Sequence, residues 1–168
     1  YLMTVHGNTN DCAHEFDLNS IFISHNHAQR YGSDTYTYNG LNWADYLSPN
    51  WNMKRDYFHF LAKASRTSKN VVGAINTIKK SPHDRLYVLG GRRFQLNKMR
   101  LTLNQRIRFY AMVGGQHKQQ LINGSKGLLF PVRWHEPFGL SIIESLYYGC
   151  PIFGTPYGSL PELVGTEF

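Results

Sequence analysis

Short apolar runs recur along this chain with helix-like stretches between them, and that alternation restricts the fold more than any other feature. "YLMTV" (1–5), "SIFIS" (20–24) and "TYTY" (35–38) open the series. "DYFHFLA" (56–62), "RLYVLG" (85–90), "IRFYAMV" (107–113), "KGLLFP" (126–131) and "PIFG" (151–154) continue it. Several are compact and continuous, as expected of parallel strands covered on both faces. Between them, "SKNVVGAINTIKK" predicts a helix with Val71, Val72, Ile75 and Ile78 on one face and Ser68 as its N-cap. "QHKQQLINGS" and "GLSIIESLYYG" predict two more, the second stopped by Gly149 with Pro151 beyond it. Strand, helix and short turn in repetition predict an α/β fold with a doubly wound parallel sheet.

One stretch breaks the rhythm. "NGLNWADYLSPNWNMKRDY" (39–57) has two Asn-turn signals, a Pro and no clear period, so it reads as a linker. Residues 1–42 would then belong to one lobe and 56–168 to another, joined by 43–55. The 168 residues suffice for a proper core, and 42 % hydrophobic with 14 % aromatic content argues against disorder. The opening "YLMTVHG" has neither an initiator Met nor a signal-peptide profile, and "LPELVGTEF" stops straight after a motif without a capping helix. The chain therefore reads as an internal piece of a longer one. Nothing in it approaches the ~18 to 20 continuous apolar residues of a membrane span.

The net charge of +7 suits nucleic acid, anionic lipid or phosphorylated small molecules as partners. The cations are scattered ("KASRTSK", "IKK", "GGRRF", "NKMR"), and basic and aromatic residues are not interleaved on any one element. That weighs against nucleic acid. Cys12 and Cys150 lie far apart and in no CxxC pair, so neither a disulfide framework nor a structural metal is expected, and a reducing compartment is the simpler assumption.

The densest constellation is "RWHEPFGLSIIESLYYGCPIFGTPYGSLPELV" (133–164), in which Glu136 and Glu144 stand with seven residues between them. In open α/β sheets ligands sit where strand ends meet helix N-termini. Here strand 126–131 leads through a loop to Pro137 and a helix expected to start near Phe138. Gly139 would let a ligand approach the backbone, and the free N–H groups of the first turn would form an anion site. Glu144, nearly two turns into that helix, is placed to accept both hydroxyls of a ribose, while Glu136 lies at the loop's mouth. Two glutamates at this spacing occur often by chance. The Pro-Phe-Gly between them and the Gly- and Pro-rich turns after them make the functional reading the stronger one.

In these residues the chain resembles the retaining GT-B glycosyltransferases of family 4 and their E-x7-E signature. The match runs Glu136-Pro137-Phe138-Gly139-Leu140, Glu144, Gly149-Cys150-Pro151-Ile152 and Gly158-Ser159-Leu160-Pro161-Glu162, in order. The resemblance implies a Rossmann-like C-terminal donor lobe preceded by the tail end of an acceptor lobe. "FLAKASRTSKNV" is similar to the segment in which an Arg and a Lys clamp the donor diphosphate, which points to Lys63 and Lys69. Ala62 stands for the usual Gly and Lys63 for the usual Arg, keeping the charge without the bidentate fork; Arg66 lies between them. "AMVGGQHKQQLI" resembles the loop that holds the base, through Val113 and Lys118, although packing and a surface position explain these two equally well. "TVHG" resembles the strand end whose His faces the transferred sugar, here His6, and "YTYNGLNWADY" the crossover between lobes, with Asn42 for the usual Asp.

The resemblance implies transfer of a sugar from a nucleotide-diphosphate donor to an acceptor hydroxyl with retained configuration, in polysaccharide, glycolipid or similar glycan synthesis. Glu136 would orient the sugar hydroxyls without a covalent role, and Glu144 would hold the ribose. Lys63, Lys69 and the N–H groups near Phe138, Gly139 and Leu140 would stabilise the departing diphosphate. There is no Asp-x-Asp in the sequence, and neither metal nor cofactor is expected. The implied partners are the nucleotide sugar and a glycan or lipid-linked acceptor bound by the rest of the first lobe, with no nucleic acid. A cytoplasmic site is expected, and the basic charge suits peripheral contact with a membrane face. The alternative is a nucleotide-sugar-binding module without turnover of its own.

Overall fold

The computed structural model describes residues 1–9, 16–92, 94–95, 100–101 and 104–165; Cys12 lies outside them. By internal contacts the chain forms two units, Tyr1–Leu41 with Trp134–Leu140 and Pro156–Phe168, and Asn42–Arg133 with Ser141–Thr155.

In the first unit β1 (Met3–Val5) and β2 (Ser20–Phe22) pair in parallel, and α1 (His25–Gln29) follows under a Ser24 N-cap. Buried Phe22 stacks on Tyr31 at 5.5 Å and meets His27 edge-on at 5.1 Å. The run at 35–38, expected as a strand, makes only a single bridge from Tyr36 to Phe22. Its tyrosines, Tyr36 and Tyr38, stay exposed, so the run buries no face that would hold it in a ladder.

The second unit holds the main sheet. Its strands are β3 (Tyr57–Leu61) and β4 (Leu86–Leu89), then, after the small antiparallel pair β5 (Phe94–Gln95) and β6 (Arg100–Leu101), β7 (Ile107–Tyr110), β8 (Ser125–Phe130) and β9 (Ile152–Gly154). The five long-range partners are all parallel in the order β7-β4-β3-β8-β9. Strand order reverses between β3 and β8, the switch point at which such sheets bind ligands.

Alternate residues of the strands feed two cores. Phe60, Leu86, Val88, Ile107 and Leu129 pack with Val71, Ala74, Ile75 and Ile78 of α2 (Val71–Lys80). On the other face, Tyr57, Tyr87 and Leu89 pack with Ile122 of α3 (Gly115–Asn123) and with Tyr147, Tyr148 and Cys150, at and beyond the end of α4 (Leu140–Tyr147). Continuous apolar strands are what two covered faces require. The buried stripe of α2 includes Ala74 and leaves Val72 exposed, contrary to expectation; positions 71, 74, 75 and 78 follow the helical period where 72 does not. Its N-cap is Asn70, not Ser68, which lies inside the 3-10 turn Thr67–Lys69. Asn70 adopts φ 54°, a left-handed conformation that Asn tolerates better than most residues, and its side chain accepts from Gly73 N at 3.1 Å.

The segment read as a linker lies against α3 and the end of α4. Gln119 accepts from Leu47 N at 2.8 Å and donates to Asp45 O at 3.0 Å; Trp43 stacks on Tyr147 at 4.5 Å. Tyr148 donates to Leu47 O at 3.1 Å. Arg55 donates to Tyr148 O at 2.7 Å and Gly149 O at 2.9 Å, a cation on the carbonyls that close α4. In the first unit the tail forms α5 (Leu160–Val164) where no helix was expected. Pro161 sits in its first turn, where its fixed φ and missing N–H cost nothing.

Candidate functional site

Glu144 is a buried carboxylate of the second unit. It is the fifth residue of α4, just over one turn in, because the helix starts at Leu140 and not near Phe138. It is 6 % exposed. Tyr46 donates to its Oε1 at 2.6 Å, and the Lys118 ammonium pairs with the same oxygen. Among the described residues Oε2 receives no bond, so one oxygen anchors the carboxylate and the other is available to a ligand hydroxyl. Burial, then the Glu144 carboxylate, raises the pKa of Tyr46 well above the ordinary range, so the phenol remains a donor. Lys118 also lies 5.8 Å from the centre of the Tyr46 ring. Thus Lys118, assigned to the base by resemblance, holds Glu144 in this structure.

At the carboxyl end of β3 the chain turns through Lys63 into the 3-10 turn that ends with Lys69. Exposed Lys63 lines a cavity of about 350 Å³ with Ser65, Gly90, Gly91 and Arg92. Lys69 is half-buried. Val113 is half-buried against the Tyr57 and Tyr87 core, so its packing accounts for it. Sequence reasoning missed the turn that lines this cavity and the Tyr46 that holds Glu144. The Gly-Gly-Arg turn after β4 contributes Gly90, Gly91 and Arg92; its signal was a glycine pair at a strand end, followed by a cation. Tyr46 carried no signal, lying in a stretch without periodicity.

The first unit holds the other candidates. Glu136 is 8 % exposed, and Trp134 Nε1 donates to its Oε2 at 2.8 Å. Its backbone is gripped as well: Ser159 N donates to Glu136 O at 2.9 Å, and Gly158 (φ 69°) approaches so closely that a Cβ there would lie 2.3 Å from Glu136 N and O. Only glycine fits, so the Gly158-Ser159 turn of the motif acts on Glu136 directly. Phe138 is buried, 5.9 Å from Tyr38, and its carbonyl accepts from Ser159 Oγ at 2.6 Å. Gly139 has φ 87°, and Leu140 is exposed. Ser24 Oγ donates to Pro137 O at 2.5 Å, and Glu162 accepts from Asn26 N at 2.8 Å. His6 is exposed just past the end of β1.

Among the described residues no three or more His, Cys, Asp or Glu side chains gather in a metal-holding group, and no helix is long and apolar enough to cross a membrane.

Comparison with known proteins adds to this geometry. A sequence model of the family described as "Glycosyl transferases group 1" matches residues 46–168. No curated protein sequence matches the chain. Among solved structures, AviGT4, a glycosyltransferase involved in avilamycin A biosynthesis, is similar with a TM-score of 0.73 and 17% identity over 97% of this chain and 51% of that one. Alr3699/HepE from Anabaena, solved in complex with UDP-glucose, gives 0.71 and 20% identity over 88% of this chain and 47% of that one. TarM gives 0.66 and 14% identity over 98% and 38%. The chain spans about half the length of the first two neighbours, and the α/β fold with its parallel sheet is that of GT-B glycosyltransferases.

Proposed function

The chain belongs to the glycosyl transferases group 1 family, and from that premise we propose that it forms part of a retaining, family 4 enzyme that moves a sugar from a nucleotide-diphosphate donor to an acceptor hydroxyl. The observation that carries this reading is the Glu144 carboxylate, anchored through Oε1 by Tyr46 and Lys118 with Oε2 left to a ribose hydroxyl. The neighbour solved with UDP-glucose supports a nucleotide sugar as donor. The E-x7-E reading gives Glu136 the transferred sugar's hydroxyls, as an orienting group and not a nucleophile, and His6 a hydrogen bond to the same sugar.

Departure of the nucleotide diphosphate builds negative charge on its oxygens. Lys63 and Lys69 supply positive potential for that charge; the resemblance gives the backbone N–H groups of Phe138, Gly139 and Leu140 the same part. Each charge-assisted contact contributes on the order of 1.5–3 kcal/mol. In this reading the cationic side chains serve where other transferases place a divalent ion, and no cofactor takes part. Lys63 delivers a point charge where an Arg would give a planar fork, so its grip on phosphate is less directional. Residues 1–42 are assigned to the acceptor lobe, 43–55 to the interlobe link and 56–168 to the donor lobe. The acceptor is a glycan or lipid-linked hydroxyl, the enzyme working in the cytoplasm or at the inner membrane face.

Turnover tests the proposal. The full-length protein, supplied with UDP-hexoses, GDP-hexoses and ADP-hexoses, is expected to release nucleoside diphosphate and form a product whose anomeric configuration, read by proton NMR, equals that of the donor. An inverted product would overturn the retaining assignment. Donor binding with no transfer to glycan or lipid-linked acceptors, and no donor hydrolysis, would favour a binding module instead.

A further inference from the structure

A buried histidine, flanked by two buried serines, interrupts the apolar core between the main sheet and α4. His59, in the middle of β3, is fully buried, and its in-register neighbours are Tyr87 on one side and Leu128 on the other. Its Nδ1 lies 2.7 Å from Ser125 Oγ at the start of β8, and its Nε2 3.0 Å from Ser145 Oγ on α4. Ser145 donates its own proton to Ser141 O at 2.6 Å, so its oxygen can only accept from the imidazole. With Nε2 as donor to Ser145, Nδ1 faces Ser125 Oγ, which also reaches Tyr57 O at 3.2 Å and Gly127 O at 3.1 Å as a donor and accepts from Gly127 N at 3.2 Å. Hydrogen-bonding contacts thus run from β8 through β3 to α4, with a serine hydroxyl beside each imidazole nitrogen.

An apolar side chain at this position would fill the space without the cost of burying an imidazole and two hydroxyls. What the polar chain adds is direction. Apolar packing tolerates small rotations and slides of a helix, whereas a hydrogen bond weakens steeply with angle and distance. Ser145 adjoins Glu144, and successive helical residues are set ~100° apart about the axis. With Ser145 pinned to the sheet, the azimuth of Glu144 is fixed.

We propose that His59 is a positioning residue for Glu144: held between Ser125 and Ser145, it sets the rotation of α4 that aims the Glu144 carboxylate. The proposal rests on the reading of Glu144 as the ribose-holding group. Binding sites of this kind require their groups within ~0.5 Å and ~10–20° of the productive geometry, a tolerance that the Tyr46 and Lys118 contacts alone, one from the residue closing the 3-10 turn Trp43–Asp45 and one from a flexible ammonium, do not guarantee.

The test is a double-mutant cycle in the full-length protein. UDP, GDP and ADP are titrated by calorimetry, and the one that binds is carried through His59→Leu, His59→Asn, His59→Gln and Ser145→Ala, each alone and with Glu144→Gln, with thermal midpoints recorded in parallel. Gln places a donor near the position of Nε2 and Asn does not. His59→Leu, His59→Asn and Ser145→Ala are expected to weaken binding roughly fivefold or more, and His59→Gln to stay within about twofold of the parent. In the Glu144→Gln background the same changes are expected to make no further difference. Losses that persist undiminished in that background, or an unchanged affinity in both His59→Leu and Ser145→Ala, would overturn the positioning role while leaving the donor site intact. No binding by any nucleotide, or none lost in Glu144→Gln alone, would overturn the donor-site reading itself and this proposal with it. Should His59→Leu fail to fold, Ser145→Ala decides, since alanine favours the helix and fills the site without strain.

Discussion

Two residues far from Glu144 in sequence, Tyr46 and Lys118, anchor its Oε1. Removing the Tyr46 hydroxyl leaves the ammonium as the one remaining anchor of Oε1 among the described residues. Tyr46→Phe is therefore expected to lower the unfolding free energy by about 1.5 kcal/mol for the lost neutral-to-charged hydrogen bond, and to weaken the nucleotide titration severalfold by loosening the aim of the carboxylate. Unchanged binding would mean that Tyr46 has no share in aiming the carboxylate. Lys63→Ala is expected to weaken nucleoside diphosphate binding and leave the free nucleoside's unaltered, since a side chain lining the cavity after β3 can act only on the phosphates in this reading. At this scale the sequence exposed Glu136, Glu144, Lys63 and Lys118 through motif and strand-end position. Their partners were hidden: the Lys118–Glu144 pair spans 26 residues and the Tyr46–Glu144 bond 98, and no local pattern encodes contacts at such separations.

At the scale of elements, α4 is stopped by a device that its own sequence does not contain. Gly149 was legible as its end, but Arg55, which covers the Tyr148 and Gly149 carbonyls, comes from the stretch without a period. Arg55→Ala is expected to lower the unfolding free energy by about 1–2 kcal/mol, measured by urea denaturation; a loss within error would show that solvent satisfies those carbonyls equally well. The main-sheet strands were readable because two covered faces demand continuous apolar runs, and seven of the eight expected runs, all but 35–38, contain strands of the structure. "SIFIS" gave its first three residues to β2 and its Ser24 to the cap of α1. "TYTY" failed because its alternation puts both tyrosines outward. Helix ends were the weakest readings: Ser68 and Asn70 are both good caps by type, and only the preceding 3-10 turn decides between them.

Across the whole molecule, two buried histidines couple stability to acid. Burial holds His59 at about 3 and His27 at about 4, against an ordinary 6.5. Above pH ~6.5 both the folded and unfolded chains keep these imidazoles neutral. Below it the unfolded chain takes up protons that the folded chain refuses, so stability is fully present above the unfolded value and falls as pH drops toward 4 and then 3. Urea midpoints are expected to fall steeply between pH ~6.5 and ~4, and His59→Leu to flatten that slope. A slope identical in the variant would locate the acid sensitivity elsewhere. The doubly wound sheet was legible from alternation alone, whereas the grouping of 134–140 and 156–165 with the first 41 residues was not. Contacts that return a late segment to an early unit leave no trace in local composition.

The measurement that bears most directly on the donor site is calorimetric titration of the full-length protein with UDP, GDP and ADP, repeated on Glu144→Ala. The account predicts that one of the three binds and that the variant binds it at least ~10-fold more weakly, about 1.4 kcal/mol. Binding that is indifferent to Glu144, or no binding by any of the three, would contradict it.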